Sequence, residues 1–543
     1  MHVLATQLAT LDEADAAIDL GQSPAEVVVL SFSDSDLSAL AEAWQQDASL
    51  LPTLRLASLK KLRHPMSVDL YVERVVAQAR FVIVRGLGGL DYWRYGFERI
   101  GDIARDNGVL FAALPGDDRA DPRLASVSTL AAEPLGRLEQ FFREGGTENL
   151  RQALHYVATL LGLDNTWMPP APVGPIAGFT LDRRTVPVAE LQYARDSRPS
   201  ALVVFYRANL MAADVAPISA LMEALDREGL APMAVAVNSL KDSAIEPDLA
   251  RLLRVRKPVI ILNTTAFSAL RADDTTVLDG ADVPVLQVVL SGSTRDGWET
   301  SPRGLSPSDL AMNVVLPELD GRLLTRAISF KAEAPADPRL EFAAVRHAPD
   351  SGRIGYVARL AAAWARLASV HRPERRLALV MSDYPARGGR TGYAVGLDTS
   401  ASVAEILRLL RGAGYDVGTQ EIGAADIERF LADQTECVKI PLSTYRACLA
   451  SLPEALRVAI VETWGDAGFD PAVTGDAFEF PVLRCGNVLV LLQPDRGLSD
   501  DRKAGYHDTT CPPRHAYVAL YAWLRETEKI DALIHLGTHG TLE

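Results

Sequence analysis

The densest chemistry in the chain lies in HLGTHGTLE, residues 535–543. His535, His539 and Glu543 recur at intervals of four, directly after the apolar DALI, which reads as a strand. With a helix starting near Gly537, His539 and Glu543 share one face, and His535 at the strand end can converge on them. Two imidazoles and a carboxylate can ligate a divalent metal or pass protons near neutral pH. The pattern is not the H-E-x-x-H of zinc proteases, because Leu536 stands where the general base would be. The competing reading is a turn with incidental histidines. Against it, four of the nine histidines (His507, His515, His535, His539) lie at or beyond position 507.

Open α/β sheets bind ligands beyond the carboxyl ends of their strands, so the loops after apolar runs are the places to search. Residues 491–524 place Gln493 and Arg496 at one strand end, then His507, then His515 ahead of an aromatic helix with Tyr517, Tyr521 and Trp523. A solvated loop before an ordinarily capped helix is the alternative. This strand and the His535 strand can neighbour each other. Residues 382–402 hold Arg387, Arg390, Tyr384 and Tyr393 among Gly388, Gly389, Gly392 and Gly396, a composition suited to a ligand clamp or to a flexible loop. Residues 291–322 form a long connection that exposes Trp298 beside charges. The Gly86-x-Gly88-Gly89 run reads as a tight turn. No G-x-x-x-x-G-K-[ST] occurs, so any ATP that drives this chemistry is hydrolysed by another polypeptide.

The elements that must carry these loops are short apolar runs alternating with helix-period segments, the signature of α/β units with parallel sheets. One set comprises residues 1–6, 25–33, 79–86 and 108–116. A second comprises 200–208, 231–239, 257–265 and 283–292, and a third 376–383, 415–420, 487–494 and 531–540. The fold expected is multi-domain α/β, with several doubly wound, Rossmann-like parallel-sheet modules and a helical neck. Its parts are an N-terminal head at 1–140, a helical and proline-rich neck at 141–197, and a second α/β domain at 198–335. A helical connector at 336–375 and a catalytic α/β body beginning at 376–543 complete it; the body reads as truncated, since the sequence ends inside a motif.

At 543 residues, 48% hydrophobic and 23% charged, the composition is that of a globular chain and excludes disordered, collagen-like and coiled-coil classes. The 55 basic against 70 acidic residues, a net −15, disfavour nucleic acid. No apolar run approaches the roughly 20 residues that cross a bilayer. The N-terminus lacks a secretory signal, and the four scattered cysteines fit a reducing compartment, so the location expected is cytoplasmic.

DALIHLGTHGTLE, NVLVLLQPDRG, YHDTTCPPRHAY, SDYPARGGRTGYAVGLDT, VLPELDGR and RGLGGLDYWRYG together resemble blocks of the large-subunit family of aerobic, ATP-dependent cobaltochelatase, the CobN family. They are also similar to the H-type large component of magnesium chelatase, which shares the HxGTHGxxE block. The resemblance covers nearly the whole chain, and family members continue beyond Glu543. It implies insertion of Co2+, the substrate metal, into hydrogenobyrinic acid a,c-diamide during cobalamin synthesis. It also implies two partner subunits of CobS and CobT type, one an AAA+ ATPase that uses ATP and Mg2+, and no tightly bound cofactor here. His535, His539 and Glu543 become metal ligands and proton acceptors. Arg387, Arg390 and Arg496 become partners for substrate carboxylates, with Gln493, His507 and His515 nearby and Tyr384, Tyr393 and Trp298 covering a ring face. Arg514 stands before His515 where family members often carry a second histidine. Magnesium chelatase and a non-catalytic tetrapyrrole carrier are the alternative functions, and a chain ending at Glu543 is expected to be inactive by itself.

Overall fold

The structure, a computed structural model, describes residues 17–116, 121–193, 196–382, 392, 394, 396–433, 436–497 and 511–537. Two compact units divide the chain, Met1–Trp364 and Ala365–Glu543. Both are α/β, with sheets whose centres are parallel.

The first unit holds two sheets. In one, β1 (Val27–Ser31), β2 (Leu54–Ser58), β3 (Phe81–Gly86) and β4 (Leu110–Pro115) run parallel in the order β2-β1-β3-β4. Side chains alternate across a strand, and both faces are buried. Val27, Val29, Phe81 and Ile83 join the helices Asp34–Gln46, Ala132–Glu144 and Gly146–Leu160. Val28, Leu30, Val82 and Val84 meet Phe97 and Ile100 of the helix Arg94–Asn107 on the other face. Leu54–Ser58 has few β-branched residues and carries Arg55, so it does not stand out as a strand in the sequence. Arg55 is held at this edge by Glu341 (2.9 Å). Residues 1–6 lie outside the described residues.

The second sheet runs β12-β11-β10-β9-β7-β8-β5-β6, built from β5 (Ile176–Phe179), β6 (Thr185–Val186), β7 (Ser200–Tyr206), β8 (Ala231–Val237), β9 (Ile260–Asn263), β10 (Val285–Thr294), β11 (Leu323–Glu333) and β12 (Val345–Pro349). Its five central strands are parallel, while β5, β6 and β12 add antiparallel edges. The residues 141–197, read as a neck, thus supply a core helix to one sheet and an edge to the next. Residues 336–375, read as a helical connector, contribute β12 as well as the helix Ser351–Ser369. Beside β12, buried Asp214 accepts from the His347 backbone N–H (2.8 Å), bonds His347 Nδ1 (2.7 Å), and pairs with Lys331 of β11 (3.1 Å).

In the second unit, β13 (Leu377–Met381), β14 (Cys437–Pro441), β15 (Val473–Thr474), β16 (Ala477–Cys485), β17 (Val488–Leu492) and β18 (Ala532–Leu536) form a sheet ordered β14-β16-β17-β13-β18, with β15 paired to β16. Strands β17, β13 and β18 are parallel, and the rest antiparallel. The strand expected at 415–420 is not formed. The Arg411 side chain takes the carbonyls of Gly418 and Gln420, leaving them unavailable to a ladder. The 487–494 and His535 strands are not neighbours either, because fully buried β13 lies between them. Among the described residues no helix is long and apolar enough to cross a membrane.

Candidate functional site

His535 is the fourth residue of β18, in register with Val380 of β13, close to the carboxyl ends of both strands. Its half-buried ring lies 2.8 Å from the Tyr521 hydroxyl through Nε2, with the two rings stacked at 6.2 Å. Burial pushes this imidazole below its usual pKa and so favours the neutral form, which keeps a lone pair for a metal or a proton.

Tyr521 is carried by the helix His515–Ala522, which follows Pro512 and Pro513. Tyr517 stands one turn earlier on the same face, and the two rings meet at 5.0 Å. Gln493 follows β17 and binds back to the sheet, its backbone N–H donating to the Met381 carbonyl (2.8 Å). Its side-chain amide donates to both hydroxyls, Tyr517 at 2.9 Å and Tyr521 at 2.7 Å. An amide at one strand end and an imidazole at another are therefore connected through a tyrosine. The turn after β18 is equally constrained. A Cβ on Gly537 would collide with Ser382 Oγ, and Ser382 N–H donates to the Leu536 carbonyl (2.8 Å).

Three residues expected to contact substrate are buried and bonded within the core instead. His515 is fully buried, with Nδ1 2.7 Å from the Tyr445 hydroxyl and Nε2 3.1 Å from the Gly465 carbonyl. Both ring nitrogens are engaged, so it ties the helix start to the neighbouring segments rather than facing a ligand. Arg496 is only 5% exposed. Its guanidinium donates to the Cys511 carbonyl, and its own carbonyl accepts from the Arg514 backbone N–H. Arg514, at the position where a paired histidine was considered, forms a buried ion pair with Asp470 (2.8 Å). Gln493 is likewise nearly buried, and both amide hydrogens go to the tyrosines.

Trp298 belongs to the first unit and is half-buried rather than exposed. Phe330 packs against it at 5.3 Å, and the Arg353 guanidinium lies 4.5 Å over its ring. His539, Glu543, His507, Arg387, Arg390, Tyr384 and Tyr393 lie outside the described residues. Among the described residues, no group of three or more His, Cys, Asp or Glu side chains is placed to hold a metal ion. Sequence reasoning gives no role to Tyr521, Tyr517, Ser382 or Tyr445. The four-residue spacing of the two tyrosines after a strand-end glutamine was the available signal.

The family model described as CobN/Magnesium Chelatase matches residues 139–543. Aerobic cobaltochelatase subunit CobN of Sinorhizobium sp is 40% identical over all of this chain and 44% of its own length. The Pseudomonas aeruginosa protein of the same name is 40% identical over all of this chain and 45% of its own. The H-type component of magnesium chelatase from Chlorobaculum parvum is 28% identical over 49% of this chain and 21% of its own length. The solved catalytic subunit of cobaltochelatase from Mycobacterium tuberculosis superimposes with a TM-score of 0.75 at 30% identity, covering 95% of this chain and 43% of that one. The chain thus spans less than half the length of the cobaltochelatase relatives it matches. With three quarters of its residues inside the matched region, the chain belongs to the CobN/magnesium chelatase family.

Proposed function

We propose that this chain is part of a cobaltochelatase large subunit, the component that holds the tetrapyrrole and delivers Co2+ to it. The reaction is insertion of Co2+ into hydrogenobyrinic acid a,c-diamide in cobalamin synthesis. ATP is hydrolysed with Mg2+ by partner subunits of CobS and CobT type, one of them AAA+, in the cytoplasm. What supports this is the His535 geometry: a half-buried, neutral-leaning imidazole beside a strand end, held by one nitrogen and leading into THGTLE. With Nε2–H donating to Tyr521, Nδ1 is the ligand atom, the arrangement in which a metal-binding histidine is oriented through its other nitrogen. His539 and Glu543 complete the ligand set, with Glu543 also accepting protons from the ring nitrogens. Imidazole suits a cation that must be released to a macrocycle, because it lacks the grip of thiolate. Arg387 and Arg390 pair with peripheral carboxylates of the substrate, and Tyr393 covers a ring face. Cobalt is favoured over magnesium by 40% identity across the whole chain against 28% across half of it.

The test replaces His535, His539 and Glu543 singly by alanine in the full-length polypeptide, assayed with both partners, ATP, Co2+ and the corrin diamide. Insertion is expected to fall by about two orders of magnitude or more while corrin affinity is largely kept. Insertion at the normal rate in all three variants would overturn the proposal and leave a carrier.

A further inference from the structure

The first unit carries a cluster of guanidinium groups that the chelatase reading does not use. Arg295 opens the helix Arg295–Thr300, Arg326 lies on β11, and Arg353 and Arg359 lie on the helix Ser351–Ser369. Aromatic rings support three of them. Arg326 sits 3.6 Å over Tyr356, Arg353 sits 4.5 Å over Trp298, and Arg295 lies 5.6 Å from Trp298 and 5.3 Å from Phe330. Arg359 folds back along its helix, with Nη1 3.3 Å from where a Cβ on Gly355 would stand.

The charges are poorly balanced. Arg295 is paired with Glu299 and Asp350, and Asp350 also accepts the Arg353 backbone N–H (3.0 Å). The Arg353 side chain donates to the Ala327 carbonyl. Among the described residues, no carboxylate forms an ion pair with Arg326, Arg353 or Arg359. Burial first, and then the charge of Arg326, hold the Arg353 guanidinium below its usual pKa, with Asp350 offsetting part of this and Arg295 adding to it, so the like charges are close enough to oppose one another. Anionic groups brought to such a face relieve the crowding of like charge.

We propose that this face docks an acidic segment of a partner polypeptide, whose carboxylates pair with Arg326, Arg353 and Arg359. Guanidinium forks suit carboxylates, and the aromatic platforms pre-organise those of Arg326 and Arg353. A flat ligand is disfavoured, since Arg353 and Arg326 already lie over the Trp298 and Tyr356 rings. Arg353 and Arg359 are six residues apart, roughly 9 Å along the helix and about a third of a turn around it, so separate acids of an extended segment reach both better than one carboxylate does. Arg326, Tyr356 and Arg359 are exposed. These arginines belong to the first unit, and the proposal does not depend on the metal reading.

A fluorescent hexaglutamate peptide titrated against the 543-residue chain, followed by anisotropy at low and high salt, tests this. Saturable binding that weakens with salt is expected. Arg326→Glu/Arg359→Glu should weaken it about tenfold or more, and Arg326→Gln/Arg359→Gln in the same direction by less, with thermal unfolding unchanged in at least the glutamine pair. Arg429→Glu, an exposed reversal in the second unit, should leave binding as it was. No saturable binding, or equal weakening by Arg429→Glu, would overturn the proposal. So would binding of an octacarboxylate porphyrin that needs Arg326 and Arg359 where the peptide does not bind, which would assign the face to small polycarboxylates.

Discussion

The Tyr521 hydroxyl lies 2.8 Å from His535 Nε2 and accepts the Gln493 amide at 2.7 Å, so a helix-borne phenol connects two strand ends of one sheet. Tyr521→Phe removes both of these bonds, the one to the half-buried imidazole and the one from the amide. Urea unfolding should show a loss of about 1–2 kcal/mol. An unchanged midpoint would mean that the two bonds are not made in solution.

Gly537 meets Ser382 so closely that no side chain fits there. Gly537→Ala should destabilise the end of β18, by about 1–3 kcal/mol for an overpacked site. Because the obstacle is the Ser382 side chain, Ser382→Gly in the same molecule should recover most of that loss. A double-mutant cycle of unfolding free energies reads the coupling directly.

His515 is buried with both nitrogens bonded, so its replacement acts on stability in advance of any effect on binding. His515→Ala should cost about 2–4 kcal/mol, combining a cavity with an unpaired Tyr445 hydroxyl. Tyr445→Phe, which removes the hydroxyl alone, should cost about 1 kcal/mol. Denaturant midpoints of the two variants separate cavity from hydrogen bond.

Burial alone would raise the Asp214 carboxyl, but His347 and Lys331 outweigh it and hold the group well below the usual carboxylate range. A depressed folded pKa contributes stability that is present above the unfolded value of about 3.9 and is lost as pH falls through the folded one. Asp214→Asn should therefore cost about 3 kcal/mol at neutral pH. The difference from the parent chain should narrow progressively below about pH 4. Urea midpoints at neutral pH and in mild acid check the sign; a gap that widens in acid would contradict the assignment.

Strands buried on both faces were legible as apolar runs, and Val27–Ser31, Phe81–Gly86, Ser200–Tyr206 and Leu377–Met381 stand where such runs occur. Strands whose apolar runs are broken by charged residues or proline were not. Leu323–Glu333 begins with exposed leucines and carries Arg326 and Lys331, and Ala477–Cys485 is interrupted by Glu479, Pro481 and Arg484. Their pairing is decided by neighbours distant in sequence, so local composition carries little of it. The same holds for side chains. Trp298, Arg496 and His515 are residue types that bind ligands, yet the fold gives their faces and donors to Arg353, Cys511 and Tyr445.

The order of residues by itself determined the alternation of apolar runs and helices, the His535–Glu543 spacing and the family blocks, because these depend only on near neighbours along the chain. Only the tertiary structure decided that β13 separates the strands of Gln493 and His535, that Tyr521 joins them, and that His515 serves the core. Those outcomes depend on which distant segments share a core. Burial then turns a polar side chain into either a satisfied internal bond or a group left facing a ligand.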